Sequence, residues 1–134
     1  MNRISDYKDL RRRIVDWLFE YSENAGTESF VIGVSGGVDS AVSSTLAAKT
    51  GKKVFALGMP IHQNEEQKEL SEAHLLWLER NFPNVVTLRF DLTNTFETFK
   101  KDLRRHGTGD HALANTRSRL RMVTLYLVVQ CLLF

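Results

Sequence analysis

Apolar positions along this chain change their period several times, and each change marks an element. Tyr7, Leu10, Ile14, Trp17, Leu18 and Tyr21 recur at spacings of three and four with Arg and Asp between them. That pattern predicts an amphipathic helix over residues 5–21. The segment NAGTE, residues 24–28, then breaks it. SFVIGVS (29–35), KVFALGM (53–59) and NVVTLRFD (84–91) are short apolar runs, the type expected of strands covered on both faces. Between the first two, Val38, Val42 and Leu46 align at helical spacing. Between the second and third, residues 64–81 read as a helix with Asn64 as N-cap and Gln67 in capping-box position. Leu70, Ala73, Leu76 and Trp77 are its expected buried stripe. The succession β-α-β-α-β over residues 29–91, with short connections, predicts an α/β fold built on a parallel sheet flanked by helices.

Two more helices follow. Residues 94–106 carry Phe96, Phe99 and Leu103 along one side, with Gly107 as the stop. Residues 111–134 read as helical throughout, basic in the first half and apolar in the second. The run MVTLYLVVQCLLF is 13 residues, short of the roughly 20 that cross a bilayer, so no membrane association is expected. A helix apolar all round needs cover from protein. A three-stranded sheet offers little, so the remainder of a longer protein or a partner chain is expected to supply it. Residues 1–134 are read as a single, incomplete domain.

Composition changes this picture only locally. The 134 residues carry 43% hydrophobic and 25% charged side chains and a formal net charge of +2, which single out no partner. From Lys100 to Arg121, however, seven bases face two acids, enough to meet an anion. Cys131 is the only cysteine, which excludes an internal disulfide, a zinc ribbon and a CxxC redox site. It is expected to be a buried small hydrophobe. The N-terminus has no signal-peptide core, and a cytoplasmic setting is the default. His62, His74, His106 and His111 show no metal-ligand spacing and read as surface or structural groups, His62 being the one candidate for a pocket wall. Trp17 and Trp77 read as core or interface residues.

The chemistry concentrates in GVSGGVDSA, residues 33–41, placed after a strand and before a helix. A helix N-terminus offers unpaired amides and a partial positive charge, so it binds anions. Gly36 and Gly37 permit positive φ and a close approach of ligand to backbone. Ser35 and Ser40 add hydroxyls. Asp39 repels phosphate unless a divalent cation lies between, and Mg²⁺ takes one or two carboxylates together with phosphate oxygens. A P-loop is excluded, because Val38-Asp39-Ser40 stands where Gly-Lys-Ser/Thr is required. The dinucleotide fingerprint fails at Gly33-Val34-Ser35.

The remaining pattern, SGGxDS, resembles the pyrophosphate-binding loop of the ATP pyrophosphatases. Within that superfamily, ANTRSRLRMVTLY (114–126) is similar to the Asn-x-x-x-Arg-x-Arg-Met…Tyr segment of NAD synthetases, on Asn115, Arg119, Arg121, Met122 and Tyr126. LGMPIHQNEEQ (57–67) also resembles that family's loop after the second strand. The resemblance spans the whole chain and about half a typical member.

It implies a Rossmann-like three-layer fold and an ammonia-dependent ligase. ATP adenylates the nicotinate carboxylate of nicotinic acid adenine dinucleotide, and ammonia then displaces AMP to give NAD. Gly33, Val34, Ser35, Gly36, Gly37, Val38, Asp39 and Ser40 would hold ATP through its pyrophosphate, and Asp39 would bind Mg²⁺. Gly58 and Met59 would border the adenine. Arg119 matches an arginine that contacts the deamido dinucleotide across a homodimer interface built from the last helix. The family's downstream Thr-Gly-Asn-x-x-Glu region is absent, so this segment alone is expected to bind ATP weakly and catalyse nothing. The residues before position 30 are too few for a glutaminase domain, which makes free ammonia the expected donor. Two other readings stand beside this one: a tRNA-modifying ATP pyrophosphatase using the basic segment, and a non-catalytic nucleotide-binding or dimerisation fragment. Nucleic acid is not an expected partner under the first reading.

Overall fold

The Asp6 carboxylate accepts hydrogen bonds from the amides of Lys8 and Asp9 at 2.9 and 3.0 Å, and so starts the first helix. The computed structural model of the protein describes residues 6–103 and 109–133. In chain order the elements are α1 (Tyr7–Asn24), β1 (Ser29–Val34), α2 (Val38–Lys49), β2 (Lys53–Gly58), α3 (Glu65–Asn81), β3 (Val85–Arg89), α4 (Thr93–Leu103) and α5 (Asp110–Leu133). The three strands are parallel in the order β1-β2-β3, with Ile32 opposite Ala56 and Ala56 opposite Thr87.

Side chains alternate across the sheet and build two cores. On one face Ile32 and Val34 of β1, with Val54 and Ala56 of β2, pack under Ala47 and Ala48 of α2 and Leu75 and Leu78 of α3. On the other face Val31, Phe55, Leu57 and Met59 meet Leu125 and Val128 of α5. The result is three layers, with α1 laid over α2 on the outside. β3 is shorter than the run over residues 84–91 predicts. Pro60 has no amide to extend the ladder, although Leu92 still donates to the Pro60 carbonyl at 3.0 Å.

Two buried-face expectations need correction, the stripe on α3 and Cys131. On α3 the inward residues are Ser71, Leu75 and Leu78, whereas Leu70, Ala73, Leu76 and Trp77 are exposed. Two apolar stripes overlap on this helix. The one that packs is the one carrying a small residue where the helix crosses β1: Ser71 Oγ donates to the Val34 carbonyl at 3.0 Å. On α2, Val38 and Val42 face outward and Leu46 is half-buried. Its inner face is Ser44, Ala47 and Ala48, small enough for close contact with the sheet. Cys131 is exposed rather than buried, because α5 covers the sheet with one side only. Its opposite side leaves Val123, Tyr126 and Leu127 in solvent.

Trp17 is exposed on α1, and Trp77 stacks on His74. An open groove of about 490 Å³, lined by Tyr7, Ile14, Val42, Leu46 and Trp77, runs between α1, α2 and α3. The expected continuation of α4 to residue 106, the stop at Gly107, and Phe134 lie outside the described residues. No described helix is long and apolar enough to cross a membrane.

Candidate functional site

The loop between β1 and α2 is held from within and left open toward the carboxyl ends of the strands. Ser40 Oγ accepts from the Ser35 amide at 3.1 Å and donates to the Gly37 carbonyl at 2.9 Å. Ser35 Oγ lies 3.1 Å from Ser40 Oγ and accepts from the Gly37 amide at 3.3 Å. The two hydroxyls thus fold the turn. Gly37 is the N-cap of α2 and brings no side-chain acceptor, unlike Asp6 on α1 and Asn64 on α3. First-turn amides of α2 are therefore left for an outside anion.

Gly36 is fixed by two independent constraints. Its φ is +87°, and a Cβ built there would sit 2.3 Å from the Gln67 carbonyl oxygen of α3. The first turn of α3 is thus pressed against the loop. That turn is started by Asn64, whose side chain accepts from the Gln67 amide at 2.8 Å.

The segment leaving β2 supplies the floor. His62 adopts φ 45°, in the left-handed region that a non-glycine residue rarely enters. Its ring lies edge-on to Phe96, and Nε2 is 2.7 Å from Glu97 Oε1. The next residue, Gln63, donates from Nε2 to the Ser35 carbonyl at 2.5 Å. Met59 is buried, and its Cε would be 3.1 Å from a Cβ at Gly33. Gly33, Val34, Ser35 and Met59 line a cavity of about 310 Å³ that continues to Met122 and Arg121 of α5. Gly58 lines a separate cavity of about 290 Å³ beside Glu72 and Arg89. The two residues expected to border the adenine thus face different spaces.

α5 closes the remaining side. Arg121 is half-buried and donates from Nε to the Met59 carbonyl at 2.9 Å. Burial, and secondarily the charge of Arg117, pushes its pKa below the usual arginine value. Arg117 lies with its guanidinium 5.6 Å from the centre of the Phe96 ring. Both arginines line a polar cavity of about 540 Å³ shared with Ser35, Gly37 and His62. Arg119 is exposed and is not among the residues lining these three cavities. Residues two apart on a helix cannot share a face, so Arg119 and Arg121 separate.

Asp39 sits in the first turn of α2 and is exposed. Among the described residues no three acidic, histidine or cysteine side chains converge as a metal site. A single carboxylate such as Asp39 is compatible with Mg²⁺, which takes one or two carboxylates and completes its shell with phosphate oxygens and water.

The structure thus brings Gly33 to Ser40 and Met59 together, pairs Gly58 with Val34 while turning it toward a neighbouring cavity, and leaves Arg119 apart from them. Sequence reading missed Gln63 and Arg117. For Arg117 a signal existed, its four-residue spacing from Arg121. For Gln63 none did, because its direction depends on the left-handed turn at His62.

Known proteins share the sequence pattern and the fold of this chain. A profile of the NAD synthase family matches residues 10–132. The NH(3)-dependent NAD(+) synthetase of Mesoplasma florum is 33% identical over 128 residues, covering 93% of this chain and 50% of that protein. The enzyme of the same name from Carboxydothermus hydrogenoformans is 32% identical, covering 90% and 49%. Among solved structures, the NMN synthetase from Francisella tularensis superposes with a TM-score of 0.81 at 32% identity, covering 92% of this chain and 50% of that one. The NH3-dependent NAD synthetase from Campylobacter jejuni gives 0.81 at 27%, covering 94% and 53%. The chain spans about half the length of the relatives it matches. It belongs to the NAD synthase family.

Proposed function

We propose that residues 33–40 hold the pyrophosphate of ATP and that the chain is the ATP-binding half of an ammonia-dependent NAD synthetase. One observation carries this reading: a glycine-capped helix N-terminus at the end of β1, inside a segment matched by the family from residue 10 to 132. In the reaction a carboxylate oxygen of nicotinic acid adenine dinucleotide attacks the α-phosphorus of ATP, and the bond to pyrophosphate breaks. Ammonia then attacks the acyl carbon, AMP leaves with the oxygen, and the nitrogen gives up a proton.

The residues here serve the first step. The amides after Gly37 would face the leaving pyrophosphate and stabilise charge that develops on it, while the Ser35 and Ser40 hydroxyls hold the turn that presents them. Asp39 would hold Mg²⁺, which when bound offsets that same charge. The relatives' other half lies outside this chain, so ATP binding, rather than turnover, is the activity assigned to these residues.

Calorimetric titration of ATP with Mg²⁺ tests the assignment. Binding that weakens about tenfold in Asp39→Ala supports it, in line with the loss of one charged ligand. Equal affinity in both proteins removes the metal role from Asp39. A second reading takes support from the similarity to the Francisella NMN synthetase, and replaces the dinucleotide product with the mononucleotide. Supplying the acid mononucleotide and the acid dinucleotide together, with ATP and ammonia, separates the two by which amide accumulates. A homodimer through α5, with Arg119 reaching the partner's substrate, and a cytoplasmic setting belong to the same proposal. The exposed apolar side of α5 supports the first of these.

A further inference from the structure

We infer that Arg117 and Arg121 form an anion clamp, closing the phosphate loop from the side of α5 and gripping a phosphate group of the nucleotide bound there. The inference rests on the reading of the loop just proposed and adds two residues to it. Both arginines border the polar cavity that contains Ser35 and Gly37. They are four apart on one helix face, so their charges repel unless something negative lies between them. Among the described residues neither has a carboxylate partner. Glu97, one of two acids on the neighbouring α4, is engaged by His62 at 2.7 Å and approached by Lys100 at 3.8 Å. A half-buried guanidinium without a counter-ion is costly, and a bound anion removes that cost.

The geometry of each side chain leaves the right atoms free. Arg121 spends only Nε on the Met59 carbonyl, at 2.9 Å. Its two terminal nitrogens keep their donors, and the bond at Nε fixes the plane of the fork. Arg117 lies over the Phe96 ring at 5.6 Å from its centre, and no hydrogen bond to another described residue takes up its donors, which are the groups that recognise phosphate. The loop borders the same cavity at Ser35 and Gly37, next to the first turn of α2. An anion there meets fixed donors from the loop and from α5, the arrangement that gives phosphate sites their affinity. Arg119, turned to solvent, takes no part.

Titrations with inorganic pyrophosphate, with ATP and with adenosine, each in the presence of Mg²⁺, test the clamp on wild type, Arg121→Gln, Arg121→Lys and Arg117→Gln. Arg121→Gln should weaken pyrophosphate and ATP about tenfold or more and leave adenosine unchanged. Arg121→Lys should not restore affinity, since an ammonium cannot hold the Met59 carbonyl and fork a phosphate. Arg117→Gln breaks no backbone contact, loses only the contact with Phe96, and should weaken the same two ligands in a protein that still unfolds in one cooperative transition. Pyrophosphate affinity equal to wild type in Arg117→Gln and Arg121→Gln overturns the clamp. Loss of adenosine together with ATP, or of ATP alone, also overturns it, by placing the arginines on the nucleoside. Wild type that binds no pyrophosphate overturns the loop assignment instead, so the two failures are distinct.

Discussion

Gly36 is where a single methyl group has the largest consequence. Gly36→Ala must place a Cβ at φ +87° and within 2.3 Å of the Gln67 carbonyl. Backbone strain of that kind costs about 1–3 kcal/mol before the clash is counted. We expect a thermal midpoint lowered by several degrees together with weaker ATP binding; an unchanged midpoint in differential scanning calorimetry would show that the loop and α3 separate freely. His74 gives a pH effect of defined sign. Its Nε2 lies 2.8 Å from Ser44 Oγ, its ring stacks on Trp77, and burial lowers its pKa below the ordinary 6.5. The unfolded chain then binds the proton more readily than the folded one, so the His74 contribution is complete above pH 6.5 and is lost as pH falls below it. Unfolding midpoints measured from pH 7.5 down to about 5.5 should fall for wild type and fall less for His74→Gln. The Glu72 carboxylate, lowered by its hydrogen bonds with Arg89, acts only in the more acid carboxylate range and does not confuse the comparison.

At the scale of elements, β1, β2 and the helix that follows each were legible because strand runs and cap residues are local signals. Asn64 caps α3 as its sequence predicts. The inward face of α3 was not legible, since Leu70, Leu76 and Trp77 make as good a stripe as Leu75 and Leu78. The close approach to the sheet decides between them, with Ser71 bonded to the Val34 carbonyl and Leu75 Cδ1 3.0 Å from where a Cβ on Gly58 would lie. Truncation separates the two stripes in practice. Leu75, 1% exposed, should cost about 2–5 kcal/mol as Leu75→Ala. Leu70→Ala, at a position 52% exposed, should stay within about 0.5 kcal/mol. Urea unfolding of both variants checks this, and equal losses would restore the other stripe.

For the molecule as a whole, the three layers followed from the order of elements, whereas the pairing of arginines across the site did not. Arg121 shares its cavity with Arg117, four residues away, and not with Arg119. The apolar half of α5 was expected to be covered all round. It is covered on the sheet side by contacts of Leu125 and Val128, while Val123, Tyr126 and Leu127 remain outside. A homodimer through this face predicts sedimentation as a dimer, shifted to monomer by Val123→Glu combined with Tyr126→Glu. A monomeric wild type at high concentration would remove that interface.

The central claim is that the first turn of α2 grips the pyrophosphate of ATP, and amide chemical-shift mapping addresses it directly. Titration of isotopically labelled protein with ATP and Mg²⁺ should move the amide signals of Gly36, Gly37, Val38, Asp39 and Ser40 first and furthest. Shifts gathered instead along the groove between α1 and α2, around Ile14, Val42 and Leu46, with the loop signals unmoved, would contradict it.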